Sequence, residues 1–259
     1  MKITFYKYQG TGNDFIIIDN RQLVFNKNNT NLIAEMCDRK FGIGADGLLL
    51  LEADSDTDFR MIYFNADGQQ SSMCGNGGRC IVHFAAFLGI ISNSTTFQAI
   101  DGIHNAEILS NDTISLQMNP VTEIKDAGSN IFLDTGSPHH VEMVENLETY
   151  DVVKNGSNLR YKMYGESGAN INFVEQINET TFAVRTYERG VENETLSCGT
   201  GVTAVAIAMY HQHKTPHQNI TLKTPGGDLG VRFTVENETY KNVFLTGPAK
   251  QVFKGIWKC

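Results

Sequence analysis

The sequence predicts an α+β protein of two pseudo-symmetric domains, each a mostly antiparallel sheet wrapped around a central helix. Three observations carry this reading. The stretch Phe64 to Cys80 leaves an apolar strand, passes Cys74 and a glycine-rich turn, and enters an apolar run (Ile81, Val82, Phe84, Phe87, Leu88) that reads as a helix. Ser197-Cys198-Gly199-Thr200-Gly201 does the same before Val202, Val205, Ile207 and Ala208, 124 positions further on. Most other apolar segments alternate, which fits half-buried antiparallel strands better than a doubly wound parallel sheet.

Sliding the chain by 124 aligns Tyr63 with Tyr187, Gly75 with Gly199, Gly77 with Gly201 and Thr11-Gly12 with Thr135-Gly136, without a gap. Gly44-Ala45 falls on Gly168-Ala169, and Gly102 on Gly226. One fixed offset of this length means two copies of a domain rather than a solenoid. The expected domains are 1–117 with 247–259, and 118–246, crossing between Pro120 and Gly128. The last dozen residues exceed the second copy and are expected to pack back on the first domain. Two matched copies imply a pair of thiols facing across a cleft.

Taken in order, residues 3–8 and 15–19 read as strands around the Gly10-Thr11-Gly12-Asn13 turn. Thr30 is a candidate cap for a short helix bearing Leu32, Ile33, Met36 and Cys37 on one face. Strands are expected at 48–51, 59–64, 96–100, 106–109 and 114–118. The second copy repeats the plan at 131–133, 141–144, 170–174 and 182–187, then the Cys198 helix, then 220–223, 231–235 and 243–245.

With 259 residues, 41% of them apolar, the chain can build two cores. A net charge of −8 without a basic block argues against nucleic acid as partner. No apolar run approaches a membrane span, and the opening residues lack the apolar core and cleavage site of a signal peptide. Five cysteines without a CxxC pair fit neither a disulfide scaffold nor a zinc module, so a reducing cytoplasm is the simplest compartment. Asn-x-Thr/Ser triplets at Asn28, Asn93, Asn111, Asn155, Asn178, Asn193, Asn219 and Asn237 would be glycan acceptors in a secreted chain; without an export signal they read as a general Asn richness. His211, His213 and His217 follow a helix C-terminus, where His is electrostatically at home, and are not read as a metal site. Cys37, Cys80 and Cys259 are read as structural or incidental.

A cysteine at a helix start meets unpaired N–H groups and the positive dipole end, which favour a thiolate and can hold an anion. Two such thiols suit stereochemical inversion: one removes an α-proton from one face, the other delivers a proton to the opposite face. With no electron-sink cofactor, the carbanion would be stabilised through a substrate carboxylate held by Gly75, Asn76, Gly199 and Thr200. A Cys-His hydrolase leaves the second cysteine unexplained. A redox dithiol usually keeps its cysteines within a few residues.

These residues resemble the diaminopimelate epimerase family over essentially the whole length. The matching segments are Gly10-Thr11-Gly12-Asn13-Asp14-Phe15, Gly42-Ile43-Gly44-Ala45-Asp46-Gly47, Phe64-Asn65-Ala66-Asp67-Gly68 and Met73-Cys74-Gly75-Asn76-Gly77-Gly78-Arg79-Cys80. Pro138-His139, Ala169-Asn170-Ile171, Tyr187-Glu188-Arg189-Gly190, Cys198-Gly199-Thr200-Gly201, Pro225-Gly226-Gly227 and Thr246-Gly247-Pro248 complete the set. The resemblance implies a cofactor-independent, metal-free epimerase that converts LL-diaminopimelate to the meso form for lysine and peptidoglycan synthesis, as a homodimer. It makes Cys74 and Cys198 the acid–base pair, with His139 and Glu188 as catalytic supporters. It assigns the distal amino-acid head of the substrate to Asn13, Asn65, Asn170, Glu188 and Arg189. Arg189 suits a bidentate carboxylate contact, and Glu188 an ammonium. Asp46 and Ser137 complete the expected substrate contacts. Members often carry Gly-Asn-Pro-His where this chain has Gly136-Ser137-Pro138-His139, so a shorter hydroxyl stands for an amide. Phe253 matches an aromatic position of the dimer interface.

A proline or hydroxyproline racemase would use the same two thiols. Against it stand Asn76, where those enzymes usually have His, and the Glu188-Arg189 pair, which a single-headed substrate does not need. A non-catalytic binding relative would need dispensable thiols, and a secreted glycoprotein would need disulfides and glycans.

Overall fold

The computed structural model describes residues 2–110 and 112–258; Asn111 of the Asn-x-Thr triplets and Cys259 lie outside the described residues. The chain divides into two compact units, Met1–Leu116 with Gly247–Cys259, and Gln117–Thr246.

The first unit opens with β1 (Lys2–Gly10) and β2 (Asn13–Asp19), then α1 (Thr30–Cys37), β3 (Gly47–Glu52) and β4 (Phe59–Asn65). The helix α2 (Gly75–Phe87) follows, then β5 (Ser94–Ala99), β6 (Gly102–Ser110) and β7 (Thr113–Gln117). In the second unit run β8 (Ile124–Asp126), β9 (Asn130–Asp134), β10 (Pro138–Met143), α3 (Val152–Tyr164), β11 (Asn170–Asn178), β12 (Thr181–Glu188) and β13 (Asn193–Thr195). The helix α4 (Gly199–His211), β14 (Asn219–Thr224), β15 (Gly227–Glu236) and β16 (Thr239–Pro248) complete it, and β17 (Lys250–Lys258) returns to pair antiparallel with β1.

Most neighbours in each sheet are antiparallel, and the exceptions have one cause. The pairs β2–β3, β4–β5, β10–β11 and β12–β14 are parallel. Each is joined through a helix, because a parallel pair needs a long crossover where an antiparallel one needs only a hairpin. The crossovers put α1 and α2 on the sheet of the first unit, and α3 and α4 on that of the second. With both faces covered, β3 (GLLLLE) is buried at every position and cannot alternate. Leu48 and Leu50 pack with Ile33 and Met36 of α1, whereas Leu49 lies against Gly77 of α2.

Ten residues of α2 and ten of α4 are buried, but only three each of α1 and α3, so α2 and α4 are the central helices. Apolar spacing gives α3 no signal because its buried residues are only Val152, Gly156 and Arg160. The cap of α1 is Asn29, not Thr30: the Asn29 side chain accepts the Leu32 N–H at 3.1 Å and Thr30 is already helical. Cys37 and Cys80 are buried free thiols, each pushed up to about 12 chiefly by that burial.

The gapless offset of 124 needs correcting. Phe15 faces Gly47 across β2–β3, and His139 faces Asn170 across β10–β11, so the offset drops to 123 at the third strand. It stays there in the next pair, where Leu49 faces Tyr63 and Asn172 faces Thr186. Tyr63 therefore corresponds to Thr186 rather than Tyr187. The offset returns to 124 at α2 and α4, whose spans match, and becomes 125 where Gly102 and Gly227 open β6 and β15. Those two glycines share φ of 130° and 134°, so Gly227, not Gly226, is the counterpart of Gly102. Strand register is set by pairing, and connections absorb single residues without disturbing it. Among the described residues, no helix is long and apolar enough to cross a membrane.

Candidate active site

Cys74 and Cys198 are the N-cap residues of α2 and α4, with nearly the same backbone: φ −111°, ψ 118° and φ −119°, ψ 110°. Their carbonyls accept the Gly78 and Val202 N–H groups at 2.7 and 2.9 Å, and neither sulfur caps its own helix. The first-turn N–H groups at 75–77 and 199–201 belong to the set that intrahelical bonding leaves over.

In the first unit the Asn13 side chain organises the surroundings of Cys74. Its Oδ1 lies 3.6 Å from the Cys74 sulfur and accepts from Asn76 Nδ2 at 3.3 Å, while its Nδ2 donates to Asp46 at 2.6 Å. Carboxylates only accept, so Asp46 fixes which way the amide points. Arg39 bridges Asp46 and Asp14, and Lys7 adds a second cation on Asp14 and donates to the Gly44 carbonyl. Burial pushes the Asp14 carboxyl up, but Arg39 and Lys7 together outweigh it and hold the group at about 2.

On the other side, the fully buried Arg79 donates to Asn76 Oδ1 at 2.9 Å, to the Gly75 carbonyl and to Thr11. Burial lowers its guanidinium to about 10, still charged at neutral pH. Gly75 and Asn76 are buried in the first turn of α2. Asn65 is exposed at the end of β4, opposite Gly47 and next to Asp46 in the register.

In the second unit Cys198 is buried, its sulfur 3.5 Å from the Thr200 hydroxyl. His139 Nε2 lies 2.9 Å from that same hydroxyl, and the Thr200 carbonyl accepts from Thr135 at 2.8 Å. His139 is completely buried; burial first, and the nearby Arg189 charge second, push its ring down to about 3, so it is neutral. Asn170 is bonded on both sides: its Nδ2 donates to Ser137 Oγ at 3.1 Å, and its Oδ1 accepts the Arg189 N–H at 2.9 Å. The Ser137 hydroxyl is thus tied to Asn170. The Arg189 guanidinium donates to the Ser167 carbonyl at 2.7 Å and is otherwise exposed. Glu188 ends β12, half-buried, and Gly199 is buried in the first turn of α4.

The expected residues therefore collect in two sets: Asn13, Asp46, Asn65, Cys74, Gly75 and Asn76 in one unit, and Ser137, His139, Asn170, Glu188, Arg189, Cys198, Gly199 and Thr200 in the other. Arg39, Asn172 and Thr186 also belong to these sets, and the motifs do not single them out. The signal that could have found the last two is a polar residue inside an apolar strand segment of the second copy.

Two repeated domains, each a sheet around a cysteine-capped helix, place the chain in a fold class shared by several kinds of protein. A phenazine biosynthesis protein of the PhzF family from Bacillus anthracis superposes with a TM-score of 0.80 at 16% identity, covering 100% of both chains. A hydroxyproline epimerase from Agrobacterium vitis superposes at 0.73 and 14% identity, over 98% of this chain and 92% of that one. At such identities the likeness is one of fold alone. Sequence narrows it. The family model described as diaminopimelate epimerase matches residues 5–124 and 131–252. A diaminopimelate epimerase of Flavobacterium psychrophilum is 60% identical over 250 residues, 96% of this chain and 98% of that protein. One of Chlorobaculum tepidum is 43% identical over 255 residues, 95% and 98% of the two. The chain belongs to the diaminopimelate epimerase family.

Proposed function

We propose that the protein interconverts LL- and meso-diaminopimelate by proton transfer at the α-carbon, with Cys74 and Cys198 as the acid–base pair and no cofactor. The observation that supports this most is the duplicated thiol: two cysteines with the same N-cap backbone, each at a glycine-rich first turn. An α-proton is far less acidic than a thiol. The reaction therefore depends on stabilising the negative charge that spreads onto the substrate carboxylate. First-turn N–H groups of Gly75, Asn76, Gly199 and Thr200 suit that charge through hydrogen bonds that strengthen as it grows.

The second amino-acid head of the substrate needs its own partners. Arg189 offers a fork for a carboxylate, and Glu188 with the carbonyls of Asn65 and Asn170 offers acceptors for an ammonium. Asn13 touches the Cys74 sulfur itself. Asp46 acts one step back, by orienting Asn13, and Ser137 by holding Asn170.

The product would serve lysine and peptidoglycan synthesis, in a reducing cytoplasm that keeps the thiols free. We further propose a homodimer through β17. Val252, Phe253 and Ile256 are 56%, 46% and 60% exposed on this terminal strand, and apolar strands of this kind are usually covered. Chiral chromatography of LL-diaminopimelate incubated with reduced protein tests the activity. The reading expects an equilibrium mixture with the meso isomer, and no racemisation of proline run alongside. Racemisation of proline alone would contradict it.

A further inference from the structure

The duplication supplies an internal control, and one polar network departs from it. By strand register, His139 corresponds to Phe15, Asn172 to Leu49 and Thr186 to Tyr63. In the first unit Phe15 and Tyr63 pack edge to face at 6.0 Å, and Leu49 lies against Gly77 of α2. In the second unit all three positions are polar and buried. Asn172 lies against Gly201 of α4, where a Cβ would stand 2.5 Å from its Oδ1. A buried polar side chain costs free energy unless bonded, and each of these bonds to the next.

The bonds have a direction. Asn172 Nδ2 donates to the His140 carbonyl at 2.8 Å, a group that can only accept, and Asn172 Oδ1 accepts from the Thr186 hydroxyl at 2.9 Å. The second hydrogen of the amide nitrogen is thereby turned toward His139 Nδ1, 3.2 Å away, which is nearer than the Asn170 carbonyl at 3.5 Å. That ring nitrogen accepts and carries no proton, so the neutral imidazole carries its proton on Nε2 and donates to Thr200 Oγ1 at 2.9 Å. With its oxygen accepting from His139, the Thr200 hydroxyl is free to donate, and the Cys198 sulfur lies within reach at 3.5 Å.

We propose that Asn172 is a positioning residue. It fixes His139 as an Nε2–H donor, so that Thr200 presents its hydroxyl hydrogen to Cys198 and favours that sulfur as the thiolate. His139 on this account is a hydrogen-bond donor that stays neutral, not a base. The consequence for catalysis rests on the epimerase reading, while the tautomer and the thiol reactivity do not.

Two measurements on the full chain test the proposal without turnover. Long-range proton–nitrogen correlation spectra of ring-labelled histidine, with His139 assigned from its loss in His139→Gln, should show Nε2 protonated and Nδ1 bare. A proton on Nδ1 would overturn the proposal. Peptide mass spectrometry of iodoacetamide labelling should show Cys198 reacting about tenfold more slowly at pH 7 in Asn172→Leu, the loss of about one charge-assisted hydrogen bond. In a Thr200→Val background the same change should have less than about a twofold effect, since the two act in series, and Thr200→Ser should keep the fast rate. Equal slowing with and without the hydroxyl would reduce Asn172 to a packing residue. Protein that shows the expected tautomer and labelling, yet fails to epimerise, would retire the activity and leave this network standing.

Discussion

The Asn13 amide oxygen lies 3.6 Å from the Cys74 sulfur, with its amide nitrogen held away by Asp46, so Asn13 offers this thiol an acceptor. At Cys198 the neighbour at similar distance comes from a different position of the repeat, the Thr200 hydroxyl, which the His139 chain turns into a donor. Two thiols on equivalent helix caps thus meet hydrogen bonds of opposite polarity. An acceptor favours the protonated sulfur, and a donor the thiolate.

Resting reactivity should follow that polarity. In the reduced, substrate-free protein, the fraction of the pH 9 iodoacetamide rate that persists at pH 7 should be about tenfold higher at Cys198 than at Cys74, a ratio within each site that cancels the deeper burial of Cys198. Peptide mapping over a time course reads both rates in one sample. A larger persisting fraction at Cys74 would contradict the assignment.

Matched glycines should respond oppositely to the same change. A Cβ on Gly201 would stand 2.5 Å from Asn172 Oδ1 and 3.2 Å from the Cys198 sulfur, whereas on Gly77 it would meet only flexible Leu49 and Met61 termini at 3.4 Å or more. Gly201→Ala should cost at least about tenfold in kcat, from a shifted Asn172. Gly77→Ala should keep most activity and gain up to about 1 kcal/mol of helix propensity. Steady-state rates and thermal melts of the two variants check this.

Charge beside Cys74 should be felt strongly. Asn13→Asp sets a carboxylate at about the same 3.6 Å from the sulfur, where two like charges repel by about 5 kcal/mol at an effective dielectric of 20. We expect kcat to fall by two orders of magnitude or more. Asn13→Ser, which keeps an uncharged oxygen, should fall far less. Initial rates with both isomers, beside a melting curve, separate this from unfolding.

Buried histidine should make the fold acid-sensitive. His139 has its folded value at about 3, below the ordinary 6.5 or so of an unfolded chain. Between those values the unfolded chain binds a proton that the native one refuses, so the contribution is complete above pH 6.5 and lost on acidification. The loss is on the order of 3 kcal/mol by pH 4.5. His140, lowered by its own burial, acts in the same direction, and Asp14 only below its ordinary range near 4. Urea unfolding at pH 7 and 4.5 should therefore show a smaller drop in His139→Gln than in the parent protein.

Much of this is legible in the chain itself. Cys74 and Cys198 announce themselves because a cysteine before a glycine-rich helix start is a local feature, and so is its repetition. The strands are readable wherever one face stays polar. Register is what local pattern cannot carry: one-residue shifts set Tyr63 against Thr186, and only pairing shows them. The helix α3 escapes because its few buried residues leave no apolar stripe. Asn172 and Thr186 read as polar interruptions in strands. They become a network only when β11, β12 and α4 bring them to His139 and Thr200.

The most direct test of the two-thiol account is solvent deuterium at the α-carbon. LL-diaminopimelate incubated with reduced protein in D₂O should yield meso product carrying one deuterium at the inverted centre. Cys74→Ala and Cys198→Ala should each abolish inversion. Inversion without deuterium uptake, or full activity in either single variant, would contradict the account.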